Sequence, residues 1–111
     1  MHHPLSRLLA PASIALVGAS ARPGAIGRIL FENIRAGGFG GAVYAVNPHR
    51  SDVLGATAYA SLRAIAAPVD LAVIATPPGA VLDVLDDAAA AGVGAAVVVT
   101  ATPAGDRRAA H

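Results

Sequence analysis

Residues 14–27 read IALVGASARPGAIG, and this stretch decides the fold. Its apolar run Ile14–Val17 predicts a buried strand that ends at Gly18, and helical spacing of apolar residues begins near Ile26. A loop rich in glycine and small residues lies between them. Such a turn directs backbone N–H groups and the positive end of a helix dipole at one point, where phosphate binds. The sequence therefore predicts a phosphate-binding strand–loop–helix unit.

The rest of the chain continues the alternation of strand and helix. Further strands are predicted at 42–46, near 57–59, at 71–75 and at 95–99. Helices are predicted from Ile26 to the Gly37-Gly38 pair, briefly after Ser61, and from Val81 to Gly92. This order is typical of an α/β fold, a Rossmann-like parallel sheet with helices on both faces.

The length of 111 residues leaves room for one domain. We assign residues 13–100 to it, with a lead-in at 1–12 and a short stub at 101–111. The predicted strand at 95–99 would then be an uncovered edge, so we expect a C-terminally truncated sheet. A missing C-terminal region or a second subunit is the expected partner. The apolar run 8–19 after Arg7 also leaves a secretory signal open, although Pro11 and Ser13 interrupt it.

Composition excludes several classes of function. A net charge of +1 provides no basic field for nucleic acid, and no run of about 18 apolar residues predicts a membrane span. Cysteine is absent, which excludes thiol nucleophiles and disulfides and agrees with a cytoplasmic location. Asp83, Asp86 and Asp87 are interpreted as the solvated face of a helix, so no metal site is predicted.

The glycine spacing departs from the nicotinamide-binding fingerprint. That fingerprint combines G-x-G-x-x-G with an acidic residue after the second strand, whereas here the glycines are Gly18, Gly24 and Gly27. The second predicted strand ends in Asn47-Pro48-His49-Arg50, without a carboxylate, and Asp52 is expected further out in a turn. The imidazole and guanidinium favour a phosphorylated ribose, as in coenzyme A or NADP, over plain NAD.

Three runs in the chain resemble one known family. They are LAPASIALVGASARPGAIG, GGFGGAVYAVNP and PVDLAVIATPP, in that order. Together they resemble the N-terminal CoA-binding domain of NDP-forming acyl-CoA synthetases, which is also found in related protein acetyltransferases. It is similar to the succinyl-CoA synthetase α subunit. The resemblance covers most of residues 9–99 and implies that the ligand is coenzyme A.

The resemblance also implies which residues hold the ligand. The CoA diphosphate would be wrapped by Gly18, Ala19, Ser20, Pro23, Gly24, Ala25 and Ile26, with Arg22 as a further candidate. The 3′-phosphate of the adenosine would lie near Asn47, Pro48, His49 and Arg50. Pantetheine and adenine would be lined by Ala75, Thr76, Pro77 and Pro78. The family commonly has lysine where this chain has His49, and a neutral imidazole is a weaker phosphate partner.

The resemblance implies the N-terminal part of an ADP- or NDP-forming acid–CoA ligase, or of an acetyltransferase-associated protein. The family's phosphohistidine lies beyond the matching segment, and His2, His3, His49 and His111 do not fit its place. We therefore assign no catalytic residue and expect binding without turnover from this chain alone. Two alternatives stay open: the Rossmann domain of an NADP-dependent oxidoreductase, and a CoA-sensing regulatory module that acts through a partner.

Overall fold

The first predicted strand lies at the centre of the sheet. In the computed structural model, which describes residues 10–99, it forms β1 (Ser13–Val17), and all five residues are buried. It runs parallel to β2 (Ala42–Val46) on one side and to β5 (Leu71–Ile74) on the other. Continuous apolar residues suit a strand with neighbours on both sides and a helix on each face. The predictions for residues 1–9 and 100–111 lie outside the described residues.

Three shorter strands complete the sheet. They are β3 (Asp52–Val53), β4 (Ala56–Tyr59) and β6 (Ala95–Val98), and the order is β3-β4-β2-β1-β5-β6. Every pairing is parallel except β3 with β4. The chain moves outward on one side of β1 and then returns to β5 on the other. Ligands of open α/β sheets bind at such a switch point. The Rossmann-like prediction is confirmed, with one antiparallel edge pair added.

Two helices cover the two faces, as predicted. The helix α1 (Ile26–Ala36) buries Phe31 against Leu16 and Ala45, and α2 (Val81–Ala91) buries Ala88 against residues that include Ala15 and Ile74. Successive residues of β1 therefore serve opposite cores, as the alternation of side chains along a strand requires. Neither of these helices is long and apolar enough to cross a membrane, a statement that covers the described part of the chain.

The β3–β4 hairpin was not predicted. Its two-residue turn is Leu54-Gly55, with φ of 49° and 83°, as in a type I′ turn. Arg35 holds the turn from the last turn of α1, because its Nη1 donates to the Leu54 carbonyl oxygen at 2.9 Å. The same guanidinium lies 5.0 Å from the centroid of the Phe31 ring. The hairpin is thereby tied to α1.

The prediction of a short helix after Ser61 is wrong. The backbone there forms hydrogen-bonded turns, in which the Ala64 amide donates to Ser61 Oγ at 3.2 Å and the Ile65 amide donates to the Leu62 carbonyl at 3.1 Å. Serine does cap this segment, but the chain turns again before a helix can form.

The interpretation of Asp87 as a solvated residue is also wrong. Its side chain is only 15% exposed, and it accepts a hydrogen bond from the Leu62 amide at 2.7 Å and from Arg63 Nε at 2.8 Å. Asp83 and Asp86, by contrast, are exposed as expected. Asp87 therefore fastens the turns after Ser61 to α2.

The last strand leaves an open edge. Val97 and Val98 are 38% and 41% exposed, and β6 pairs only with β5 among the residues that the structure describes. Its outer N–H and C=O groups are therefore available for pairing.

Candidate functional site

Glycine allows the loop after β1 to pass close to β5 and α1. Gly18 has a φ of 95°, and a Cβ there would lie 2.8 Å from the Ala75 carbonyl oxygen. A Cβ at Gly27 would overlap the Gly18 carbonyl oxygen and lie 2.9 Å from its carbon. Glycine is thus required at position 18 by the contact with Ala75 and at position 27 by the contact with Gly18. The close approach brings the start of α1 to the carboxyl ends of β1 and β5.

The N-terminus of α1 has no side-chain cap. Ala25 is the N-cap residue, and its carbonyl oxygen accepts from the amides of Arg28 at 3.0 Å and Ile29 at 3.1 Å. The amides of Ile26 and Gly27 have no acceptor among the described residues. Amides in the first turn of a helix point away from the helix along its axis. Donors and the positive end of the helix dipole therefore face the space in front of the loop.

A cavity of about 450 Å³ occupies that space. Its lining combines the loop, the start of α1 and the residues after β5: Gly18, Ser20, Arg22, Ala25, Ile26, Gly27, Ala75, Thr76, Pro77, Pro78 and Val99. The Thr76 hydroxyl oxygen is buried and has no hydrogen-bond partner among residues 10–99. An unpaired buried hydroxyl costs about 1–3 kcal/mol.

A second cavity of about 420 Å³ adjoins the first. It is lined by Ser20, Ala21, Arg22, Asn47, Arg50, Asp52, Val53 and Leu54. Ser20 and Arg22 line both cavities, so the two are neighbours at the loop, and we refer to them together as the cleft. We call the first the loop cavity and the second the hairpin cavity.

Asn47 joins the end of β2 to the loop. Its Nδ2 donates to the Ala19 carbonyl oxygen at 2.9 Å, and its Oδ1 accepts from the His49 amide at 2.7 Å. Arg28 holds the loop from the other side, because its Nη1 donates to the Ala21 carbonyl oxygen at 2.7 Å. No pattern in the sequence indicates this role of Arg28.

Most of the predicted ligand residues line this cleft. Nine line the loop cavity, and Asn47 and Arg50 line the hairpin cavity. Ala19, Pro23, Gly24, Pro48 and His49 line neither of these two cavities. Ala19 is fully buried, whereas His49 is exposed and its backbone amide donates to Asn47 of the hairpin cavity. Ligand contact by all sixteen predicted residues stays a prediction.

The hairpin wall is the part of the site that the sequence analysis missed. Asp52 was expected in an outlying turn; instead it lies in β3 and lines the hairpin cavity with Arg50. Recognition of the β3–β4 hairpin would have been needed to place it there. Val99, which lines the loop cavity, was likewise assigned only to the last strand.

The chain is similar to a known protein family and to several known proteins. A family model described as a CoA binding domain matches residues 12–110. A trans-feruloyl-CoA synthase from an unknown prokaryote is 39% identical over 97 residues, which are 87% of this chain and 14% of that protein. The α subunit of ADP-forming acetate–CoA ligase II from Pyrococcus furiosus is 38% identical over 82% of this chain and 20% of its own length.

A solved structure shows the same fold. An acetyl-coenzyme A synthetase from Ca. Korarchaeum cryptofilum, in complex with phosphate and ADP, superposes with a TM-score of 0.83 at 42% identity. The match covers 88% of this chain and 21% of that one. The chain thus spans between a seventh and about a fifth of the length of these relatives.

Proposed function

Because the chain belongs to the family of CoA-binding domains, we propose that it holds coenzyme A in the cleft formed by the loop and hairpin cavities. The observation that carries this proposal is the uncapped N-terminus of α1 at the switch point between β1 and β5. Free amides and a helix dipole at that point suit a diphosphate. The proposed diphosphate contacts are the amides of Ile26 and Gly27 together with Ser20 and Arg22.

The two ends of the cleft suit the two ends of the ligand. The loop cavity has a largely apolar wall after β5, which suits pantetheine. The hairpin cavity presents Arg50, with His49 exposed close by, which suits the 3′-phosphate of the adenosine.

We extend the proposal to the whole protein. The chain would serve as the N-terminal part of an ADP- or NDP-forming acyl-CoA synthetase, whose acyl-transfer chemistry resides in another region or subunit. The relative that is named as an α subunit supports a separate partner, and the open edge at β6 offers a surface for it. The absence of cysteine agrees with the cytoplasmic location that we propose.

Calorimetric titration of the purified chain tests the ligand. We expect CoA to bind, dephospho-CoA to bind more weakly, and NADP not to bind. Tight NADP binding would favour the oxidoreductase alternative. A folded chain that binds none of the three would contradict the proposal.

Single variants distinguish the residues that contact the diphosphate from those that contact the 3′-phosphate. We expect Arg50→Gln to weaken CoA by about tenfold but to leave dephospho-CoA almost unchanged, because only the 3′-phosphate would lie near it. Arg22→Gln should weaken both ligands, since Arg22 lines both cavities. Arg63→Gln is the matched control, because Arg63 pairs with Asp87 away from the cleft. Equal losses for both ligands in Arg50→Gln would refute the assignment of the 3′-phosphate.

The histidine after Asn-Pro provides a test by gain of affinity. We expect His49→Lys to strengthen CoA binding several-fold, because an ammonium is always charged at neutral pH. The increase should disappear with dephospho-CoA. An unchanged CoA affinity would mean that this side chain stays in solvent.

A further inference from the structure

One carboxylate lies in a cleft that is otherwise suited to anions. Asp52 is exposed in β3, and it is the single acidic residue that lines the loop or hairpin cavity within residues 10–99. Arg22 and Arg50 line the hairpin cavity with it. A carboxylate there weakens the attraction for phosphate. We therefore expect Asp52 to contact a part of the ligand other than its phosphates.

The position of Asp52 is well defined. Its partner across the hairpin is Thr57, and the Ala58 amide donates to the Ser51 carbonyl oxygen at 2.9 Å beside it. The turn that closes the hairpin is held by Arg35, as described above. The hairpin is therefore a fixed wall of the cavity, and its acidic side chain is not placed on a free loop.

Asp52 is also not engaged by a neighbouring cation. The ion pairs among the described residues join Arg28 to Glu32 and Arg63 to Asp87. Although Arg50 lines the same cavity, no nitrogen of Arg50 lies within 4 Å of a carboxylate oxygen of Asp52. The carboxylate is thus available as a hydrogen-bond acceptor for a ligand.

An ionised carboxylate only accepts hydrogen bonds, so the ligand group opposite Asp52 must be a donor. The phosphate groups of CoA are not donors, and the donors of its pantetheine arm, the amides, the hydroxyl and the thiol, would lie in the loop cavity. At the nucleoside end, the donors are the ribose 2′-hydroxyl and the exocyclic amine of adenine. Resting on the proposed function, we propose that Asp52 is a specificity-determining residue that accepts a hydrogen bond from one of these two nucleoside groups.

Two pairs of probes distinguish the two donors. CoA against 1,N6-etheno-CoA tests the adenine amine, which the etheno bridge removes. Adenosine 3′,5′-bisphosphate against its 2′-deoxy form, measured by competition with CoA, tests the hydroxyl. Within each pair the phosphates are the same, so the affinity ratio is insensitive to the repulsion between Asp52 and phosphate. Each ratio is measured for the wild-type chain, for Asp52→Ala, and for the control Asp83→Ala, which removes an exposed carboxylate from α2.

The wild-type chain should discriminate by about tenfold in one of the two pairs. Asp52→Ala should bring that ratio close to one, and Asp83→Ala should keep it. Asp52→Asn, which preserves the side-chain shape, should give an intermediate ratio and serves if the alanine variant does not fold. A wild-type chain that binds CoA without discrimination in either pair, or a ratio unchanged in Asp52→Ala, overturns the role of Asp52 alone. A folded wild-type chain that does not bind CoA overturns the proposed function as well.

Discussion

Because Gly27 is in close contact with Gly18, we predict that alanine at position 27 destabilises the domain, which is the opposite of its usual effect in a helix. In a helix interior, replacing glycine with alanine stabilises the fold by about 1 kcal/mol, and the gain at Gly27, in the first turn of α1, is at most this. Here the new methyl group would overlap the Gly18 carbonyl oxygen and lie 2.9 Å from its carbon. Neither neighbour is a flexible side chain, because the whole contact is with backbone.

The loop backbone has little freedom to move away. The Gly18 amide donates to the Val46 carbonyl oxygen at 3.0 Å, and the Ala75 amide donates to the Val17 carbonyl oxygen at 2.8 Å. Overpacking costs about 1–3 kcal/mol, and we take the upper end for a rigid contact. Subtracting a helix gain of at most about 1 kcal/mol leaves a net loss of at least about 2 kcal/mol for Gly27→Ala.

Thermal and urea denaturation check the sign of this effect. A loss of about 2 kcal/mol lowers the Tm of a domain of this size by roughly 8–16 °C. The control is Gly40→Ala, because nothing lies within 4 Å of a Cβ there and φ is not in the left-handed region. We expect that control to change stability by less than about 0.5 kcal/mol. A Gly27→Ala chain that melts at or above the wild-type temperature would refute the reasoning.

Three further measurements test the packing and the ligand. Phe31→Ala should cost about 3–5 kcal/mol in urea unfolding, because Phe31 is fully buried, whereas Ile29→Ala, at a side chain 43% exposed, should cost much less. Asp87→Ala should cost about 1–3 kcal/mol, because the buried Leu62 amide loses its acceptor, and Asp86→Ala should be almost neutral; equal losses would contradict the fastening role. CoA at 100 times its Kd should add about 2.7 kcal/mol of stability, and an unchanged Tm would argue against binding to the folded chain.

The sequence predicted the central strands and both long helices because their signals are local. Apolar runs such as Leu71–Ile74 and helical spacing from Ile26 need no knowledge of the rest of the fold. The strand–loop–helix unit was also predictable, because its geometry is contained in one short segment, and six of its residues line the loop cavity.

The errors come from contacts between distant segments. Leu54-Gly55 lacks the Asn-Gly or Asp-Gly pattern of a type I′ turn, and Arg35 supports it from α1. The hairpin, and with it the position of Asp52 in the cleft, was therefore not predicted. Asp87 looked solvated because helical spacing alone does not show that Leu62 packs beside it.

The position of β1 in the middle of the sheet has a consequence for how the domain folds. On one side, β1 pairs with β2, beginning at Ser13 with Ala42. On its other side it pairs with β5, where Ile14 lies opposite Leu71, and β5 comes much later in the chain. During synthesis, the most buried strand thus remains an edge strand until Ile74 is available. Long-range pairing of this kind slows folding and leaves apolar strand surface exposed meanwhile. Among the strands of residues 10–99, β1 is made first but is enclosed only when β5 is available, so the whole segment from β1 to β5 should gain its stability together.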